Sequence, residues 1–240
     1  MQVNAAIRDA FDTIARRADD VQRAFTPGAQ PAFDDVATPG DRSRVIFDPL
    51  SAAAPPDAYF ISSDERGRTT YTRDGALQLA GGAICGADGR PMYGFAPGQP
   101  ALSALRVDPV DLALGRTANL RVESDGSVVY DRAAIDPRTG ARETQRVVLG
   151  TLALARFPAA TKLPVADASH VLAPPGVVAH VGRAGDGSFG RLTPMHREQS
   201  RIDFDRSLDR LHDAYAAFDA LGAANKAKSG LTKTAMDLLK

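Results

Sequence analysis

Short runs of alternating side chains, each halted by an Asp-Gly pair, constrain this chain more than any other feature. Thr70-Tyr71-Thr72-Arg73 stops at Asp74-Gly75, Ala76-Leu77-Gln78-Leu79 follows, and Asp88-Gly89 closes a stretch that begins at Tyr59 and ends at Gly94. A period of two puts successive side chains on opposite faces of a strand, and Asp-Gly supplies the turn, so the stretch predicts a β-meander. The pattern returns downstream. Ala118–Glu123 and Ser127–Tyr130 flank Ser124-Asp125-Gly126 as a hairpin, Asp136–Gly140 forms a further turn signal, and Arg146–Phe157 follows as a long strand. Leu102 to Leu114 adds two short apolar runs parted by Asp108-Pro109. With no helical period between them, these runs predict a β-rich central domain over residues 58–194, loop-like from Pro158 on.

The two ends carry a different period. Val3, Ile7, Phe11, Ile14, Ala18, Val21 and Phe25 recur at three- and four-residue steps, one stripe of an amphipathic α-helix over residues 1–26 that Thr26-Pro27-Gly28 stops. Residues 195–240 return to that period, and Leu208, Leu211, Tyr215 and Phe218 form the narrow seam of a coiled coil. Gly222 and Gly230 each cost roughly 1 kcal/mol relative to alanine, which predicts a kink or break near Gly230. Residues 27–57 hold six prolines and form an extended linker whose one strand-like run is Arg44–Phe47. The expected fold class is therefore α+β: a mainly-β central domain flanked by N- and C-terminal amphipathic helices that pair as a coiled-coil-like layer. The expected assembly contact joins Val3, Ile7, Phe11, Ile14 and Val21 to Leu208, Leu211, Tyr215 and Phe218.

Charge and motif content narrow the function classes. Lys+Arg and Asp+Glu both number 29, so no basic footprint for nucleic acid is present. The single cysteine, Cys85, forms no intramolecular disulfide and has no partner at metal-binding spacing. None of the four histidines, His170, His180, His196 and His212, sits in a hydrolase or zinc-protease motif. Gly185-Asp186-Gly187-Ser188-Phe189-Gly190 lacks the Lys-Ser/Thr ending of a phosphate loop and is expected to be a flexible loop. No stretch approaches the roughly 20 apolar residues of a membrane span, and the first residues lack a signal-peptide core. The expectation is a non-enzymatic protein without metal or cofactor.

Three stretches, in order, resemble the flagellar basal-body rod and hook proteins. They are Tyr71-Thr72-Arg73-Asp74-Gly75 with Ala76–Leu79 and Ala87-Asp88-Gly89-Arg90-Pro91, then Val122–Val128 around Asp125-Gly126, then Leu149–Pro158. They are similar to that family's "TYTRDG…G-x-P-V-x-G", "I-x-x-D-G-x-V" and "G-Q-L-x-L-A-x-F-x-x-P" segments, and the order is most like the proximal and distal rod proteins. The resemblance implies a structural subunit of the bacterial flagellar rod whose paired terminal helices form an inner tube with the β-domain outside. It implies copies of itself and other flagellar axial proteins as partners. It also implies passage through the flagellar export apparatus without a cleaved signal, and a place in the periplasm-spanning rod of the basal body. The alternative from another class is a β-rich binding module or hydrolase-like domain with helical extensions, unrelated to motility.

Overall fold

The structure is a computed structural model, and it describes residues 2–38, 40, 42–135, 138 and 142–238, with the side chains of 2–4, 135 and 142 left aside. In chain order the elements are helix α1 (Gln2–Arg23), a 3-10 turn at Asp34–Val36, and strands β1 (Ser43–Val45), β2 (Ala52–Ala53), β3 (Tyr59–Ser63), β4 (Thr69–Thr72), β5 (Leu77–Ala80), β6 (Ala83–Gly86), β7 (Tyr93–Phe95) and β8 (Leu102–Ala104). Helix α2 (Pro109–Ala113), β9 (Ala118–Val122), β10 (Ser127–Ile135), β11 (Arg142–Arg156), β12 (His170–Val171), β13 (His180–Arg183), β14 (Thr193–Pro194), β15 (His196–Glu198) and helix α3 (Phe204–Leu238) complete it. The chain is thus mixed, with a mostly-β body and a helix at each end. It divides into two compact units, one of Met1–Phe25, Pro31–Thr38 and Ile202–Lys240, the other of Thr26–Gln30 and Pro39–Arg201. The 27–57 stretch is accordingly shared between them.

The β-rich unit is organised on β11. Its sheet runs β12-β4-β3-β11-β10-β9, with β7 and β13 also on β11 and β8 on β7. Leu152, Ala153, Leu154 and Ala155 are all fully buried, and the period of two explains how. Leu152 and Leu154 enter a large core with Phe60, Ile84, Met92, Leu105 and Val128. Ala153 and Ala155 enter a smaller one with Ile61, Tyr71 and Val171 on the opposite face. Phe60 and Ile61 on β3 divide in the same way, so the middle of this sheet is covered on both sides.

The meander expected from Tyr59 to Gly94 does not form. β4 pairs with β3 and β12, whereas β5 pairs with β6 in a separate two-stranded sheet. The hairpin turn lies earlier, at Asp64–Gly67, where the Asp64 side chain accepts the amides of Arg66 at 3.0 Å and Arg68 at 2.8 Å. Asp74-Gly75 cannot turn because its backbone is threaded between other segments. The Ala52 amide donates to the Gly75 carbonyl at 3.0 Å, and a Cβ on Gly75 would lie 1.7 Å from the Ala52 oxygen. Gly28, at φ +70°, passes on the other side, where a Cβ would lie 2.3 Å from the Asp74 nitrogen.

Two more expectations change. The stretch after Asp108 is helix α2, because the Asp108 carboxylate accepts the Val110 amide at 2.8 Å and Pro109 fills the first helical turn. The Pro158–Pro194 stretch contributes β12, β13 and β14 to sheets. The turn signal at Asp136–Gly140 lies outside the described residues apart from Arg138.

In the helical unit α1 lies along α3, and Phe25 beyond the end of α1 meets Phe204 at the start of α3 with ring centroids 5.2 Å apart. The two helices therefore run antiparallel. α3 continues without a break through Gly230 to Leu238, against the expected kink. One glycine penalty of roughly 1 kcal/mol is too small to interrupt a helix whose neighbouring turns propagate on either side. At 1.5 Å per residue α3 is longer than α1 by about 20 Å, and residues 226–238 are exposed throughout.

Candidate functional site

Eight of the nine residues expected at an assembly surface fall in two groups. Ile14 is buried, and Ile7, Val21, Leu208, Leu211 and Phe218 are half-buried, on the faces that α1 and α3 turn to their own unit. Phe11 is 62 % exposed and Tyr215 50 % exposed, so both lie outside that contact. The side chain of Val3 lies outside the described residues. Farther along α3, Leu231, Met236 and Leu238 are 73, 64 and 82 % exposed. The helical unit thus covers one apolar stripe and leaves a second set of large apolar side chains in solvent.

The β-motif residues fall in separate places, and two of them, Arg73 and Asp74, are held by ion pairs that the local sequence does not announce. Tyr71, Thr72 and Arg73 are buried, and Arg73 is the bulkiest of the fully buried side chains. Its Nε donates to Glu198 Oε2 at 2.6 Å and its Nη2 contacts the same oxygen. Its terminal nitrogens donate to three carbonyls of the preceding loop, those of Pro55, Ala58 and Ala54. Arg201 Nε donates to the other Glu198 oxygen at 2.6 Å. The next residue, Asp74, accepts both Nε and Nη2 of Arg197 at 2.9 Å. A guanidinium offers five donors in one plane, and here it ties β4, β15 and the 54–58 loop together. The partners Arg197, Glu198 and Arg201 follow the motif by more than a hundred residues. No local signal in the sequence marks them as its partners.

Asp88 and Gly89 sit in an exposed turn, and Asp88 joins a second cluster. Arg90 pairs with Asp88 at 3.1 Å and with Asp167 at 2.7 Å, while His170, 4 % exposed, contacts Asp167 at 2.9 Å and Asp88 at 3.6 Å. Burial works to raise the Asp167 carboxyl, but the His170 hydrogen bond and charge, the Ser169 amide and Arg90 outweigh it and hold it well below the usual range. Asp125 and Gly126 form the predicted turn, with the Ser127 amide on Asp125 at 2.9 Å. In the glycine run, Asp186 accepts the amides of Arg183, Ser188 and Phe189 at 2.8, 2.9 and 3.2 Å. The amides that would cradle a phosphate are thus already occupied by a carboxylate, and Phe189 stacks on His180 at 5.5 Å. Cys85 is buried, and burial pushes its thiol up, away from nucleophilic chemistry.

A groove of about 440 Å³ opens between α2 and the β10–β11 hairpin, lined by Arg106, Asp108, Asp111, Tyr130, Arg132 and Leu149 among others. Asp111, 3 % exposed, accepts the Tyr130 hydroxyl at 2.5 Å and Arg132 Nη1 at 3.2 Å on one oxygen. Burial, then the hydrogen bond and charge of Asp111, push the Tyr130 phenol up to about 12. A phenol so shifted remains protonated and serves as a donor rather than a base. Tyr130→Phe is expected to destabilise the β-rich unit by about 1.5–3 kcal/mol, the net value of a hydrogen bond to a charged group. The midpoint of urea unfolding reads it, and an unchanged midpoint would show the bond to be idle. Among the described residues no group of three His, Cys, Asp or Glu side chains is arranged to hold a metal ion, and no helix is long and apolar enough to cross a membrane.

No protein-family model matches the chain, and no curated protein matches it.

Proposed function

We propose that this protein is a structural subunit of the bacterial flagellar basal-body rod, assembling with copies of itself and with other axial proteins through its terminal helices. The observation that carries the assembly part is that the helical unit leaves large apolar side chains uncovered, Phe11, Phe25, Tyr215, Leu231, Met236 and Leu238 among them. Covering each contributes roughly 1.5–3 kcal/mol, so an antiparallel pair that leaves large apolar side chains in solvent gains by packing against further helices. The flagellar part is supported by the ordered likeness of residues 71–91, 122–128 and 149–158 to the rod family. In this reading the protein does no chemistry, the ion-paired β-rich unit sets lateral contacts, and the chain travels through the flagellar export apparatus without a cleaved signal.

Phe11→Asp with Leu211→Asp in the full chain is expected to leave the β-rich unit folded and to abolish polymerisation and motility. Of the two, Phe11→Asp alone should leave thermal unfolding unchanged, because that side chain faces solvent, and still weaken assembly. Normal filaments from the double variant would sink the assembly mechanism. Mass spectrometry of purified basal bodies tests the location, and the reading fails if the chain is missing there and a deletion strain swims normally.

A further inference from the structure

The helical unit contains a carboxylate where its own packing leaves no room for a charge. Asp20 lies in the last turn of α1 on the face turned inward, and it is fully buried. One oxygen, Oδ1, accepts Arg23 Nη2 at 2.9 Å and the Ala32 amide at 2.9 Å. The other, Oδ2, has no hydrogen-bond partner among the described residues. Ser207, in the first turns of α3, is likewise fully buried, and its hydroxyl has no partner among the described residues either. Both polar groups belong to the end of the unit where Pro31–Thr38 packs with the helices: Ala32 bonds to Asp20, Val36 accepts the Asp203 amide at 3.0 Å, and Asp35 pairs with Arg17 and Arg210.

The neighbouring charges do not offset an ionised Asp20. Arg23 is shared, because its Nε donates to Asp19 at 2.7 Å. Arg17 is held by Asp35 at 3.1 Å, and Arg206 and Arg210 from α3 also turn to Asp35, through its carbonyl and its carboxylate. Asp19 on α1, Asp34 on the connecting segment and Asp203 ahead of α3 add negative charge at the same end. A buried anion with half of its acceptor capacity unmet is costly, whereas the neutral acid carries no charge to desolvate.

We infer that Asp20 is a protonation latch: neutral, it holds Pro31–Thr38 against α1 and α3, and ionised, it loosens that end of the helical unit. The direction of its titration agrees, since burial raises its carboxyl above the ordinary value in spite of the Ala32 amide and Arg23. A folded-state value above the unfolded one gives stability that is complete below the ordinary carboxylate range. It is lost as pH rises through the raised value, and is constant beyond it. Within that window the local opening equilibrium shifts by about tenfold per pH unit. The inference is independent of what the unit assembles with.

The test compares the full chain with Asp20→Asn, which keeps the shape and the acceptor for Ala32 but carries no charge. Amide exchange of α1 and of residues 31–38, read as the ratio of opening equilibria between the two proteins at each pH, should be near one at low pH. It should grow in favour of the variant as pH rises, with the variant melting higher at neutral pH. Carbon NMR of the Asp20 carboxyl should titrate above the ordinary carboxylate value in the wild type. A variant that melts lower at neutral pH with a flat ratio, or an Asp20 resonance titrating at or below the ordinary value, would overturn the latch and make Asp20 an ionised partner of Arg23.

Discussion

Glu198→Ala is expected to destabilise the β-rich unit by about 3–5 kcal/mol, the cost of removing one partner from a buried ion pair. Glu198 is 2 % exposed, and it is the only carboxylate, among the described residues, that pairs with Arg73. Its loss leaves a buried guanidinium without a counter-charge, held by the carbonyls of Pro55, Ala58 and Ala54 and facing the Tyr59 ring. It also frees Arg201, whose Nε holds the second Glu198 oxygen. A total stability in the usual range of about 5–15 kcal/mol would be reduced to a margin that expression at moderate temperature should reveal. Urea unfolding followed by far-UV circular dichroism measures the loss. The double variant Arg73→Met/Glu198→Leu should recover part of it, because no unpaired charge then remains inside. A single-variant loss under about 1 kcal/mol would mean that the pair contributes like a surface bridge.

Gly75→Ala should come close to that effect, by about 3 kcal/mol or more, from one added methyl group. The new Cβ would stand 1.7 Å from the Ala52 carbonyl oxygen and 2.9 Å from the Phe60 ring. The carbonyl is fixed backbone, on a residue whose amide bonds to Gly75 itself, and Phe60 is fully buried in the large core. Neither can yield without moving β2 or β3. Gly89→Ala is the control, since a Cβ there meets nothing within 4 Å, although its φ of +85° still favours glycine. The comparison of the two melting temperatures separates crowding from backbone preference. Equal shifts would show that the threaded passage at Gly75 adapts.

Most strands and both long helices are legible in the local pattern of the chain. Arg146–Phe157 had to be a strand, Ser124–Gly126 had to be a turn, and the stripe of Ile7, Ile14 and Val21 had to face a partner. Each of these is a matter of period and turn chemistry, which act over a few residues and are legible locally. Which strands meet, and where polar groups go once buried, depends on closures across the whole chain, so neither can be read from any one stretch. Asp74-Gly75 carries a good hairpin signal, yet the segments at Gly28 and Ala52 pass so close that it serves as a crossing, and Asp64–Gly67 takes the turn instead. Arg73 is a charged residue for which the nearby sequence offers no buried partner. It is buried because Glu198, 125 positions later, and three loop carbonyls satisfy every part of its charge. Asp20 and Phe11 show the same division on α1. A stripe drawn at three- and four-residue steps puts Phe11 inside and Asp20 outside, but the direction from which α3 and Pro31–Thr38 approach turns the helix, so that the carboxylate is buried and the phenylalanine faces solvent.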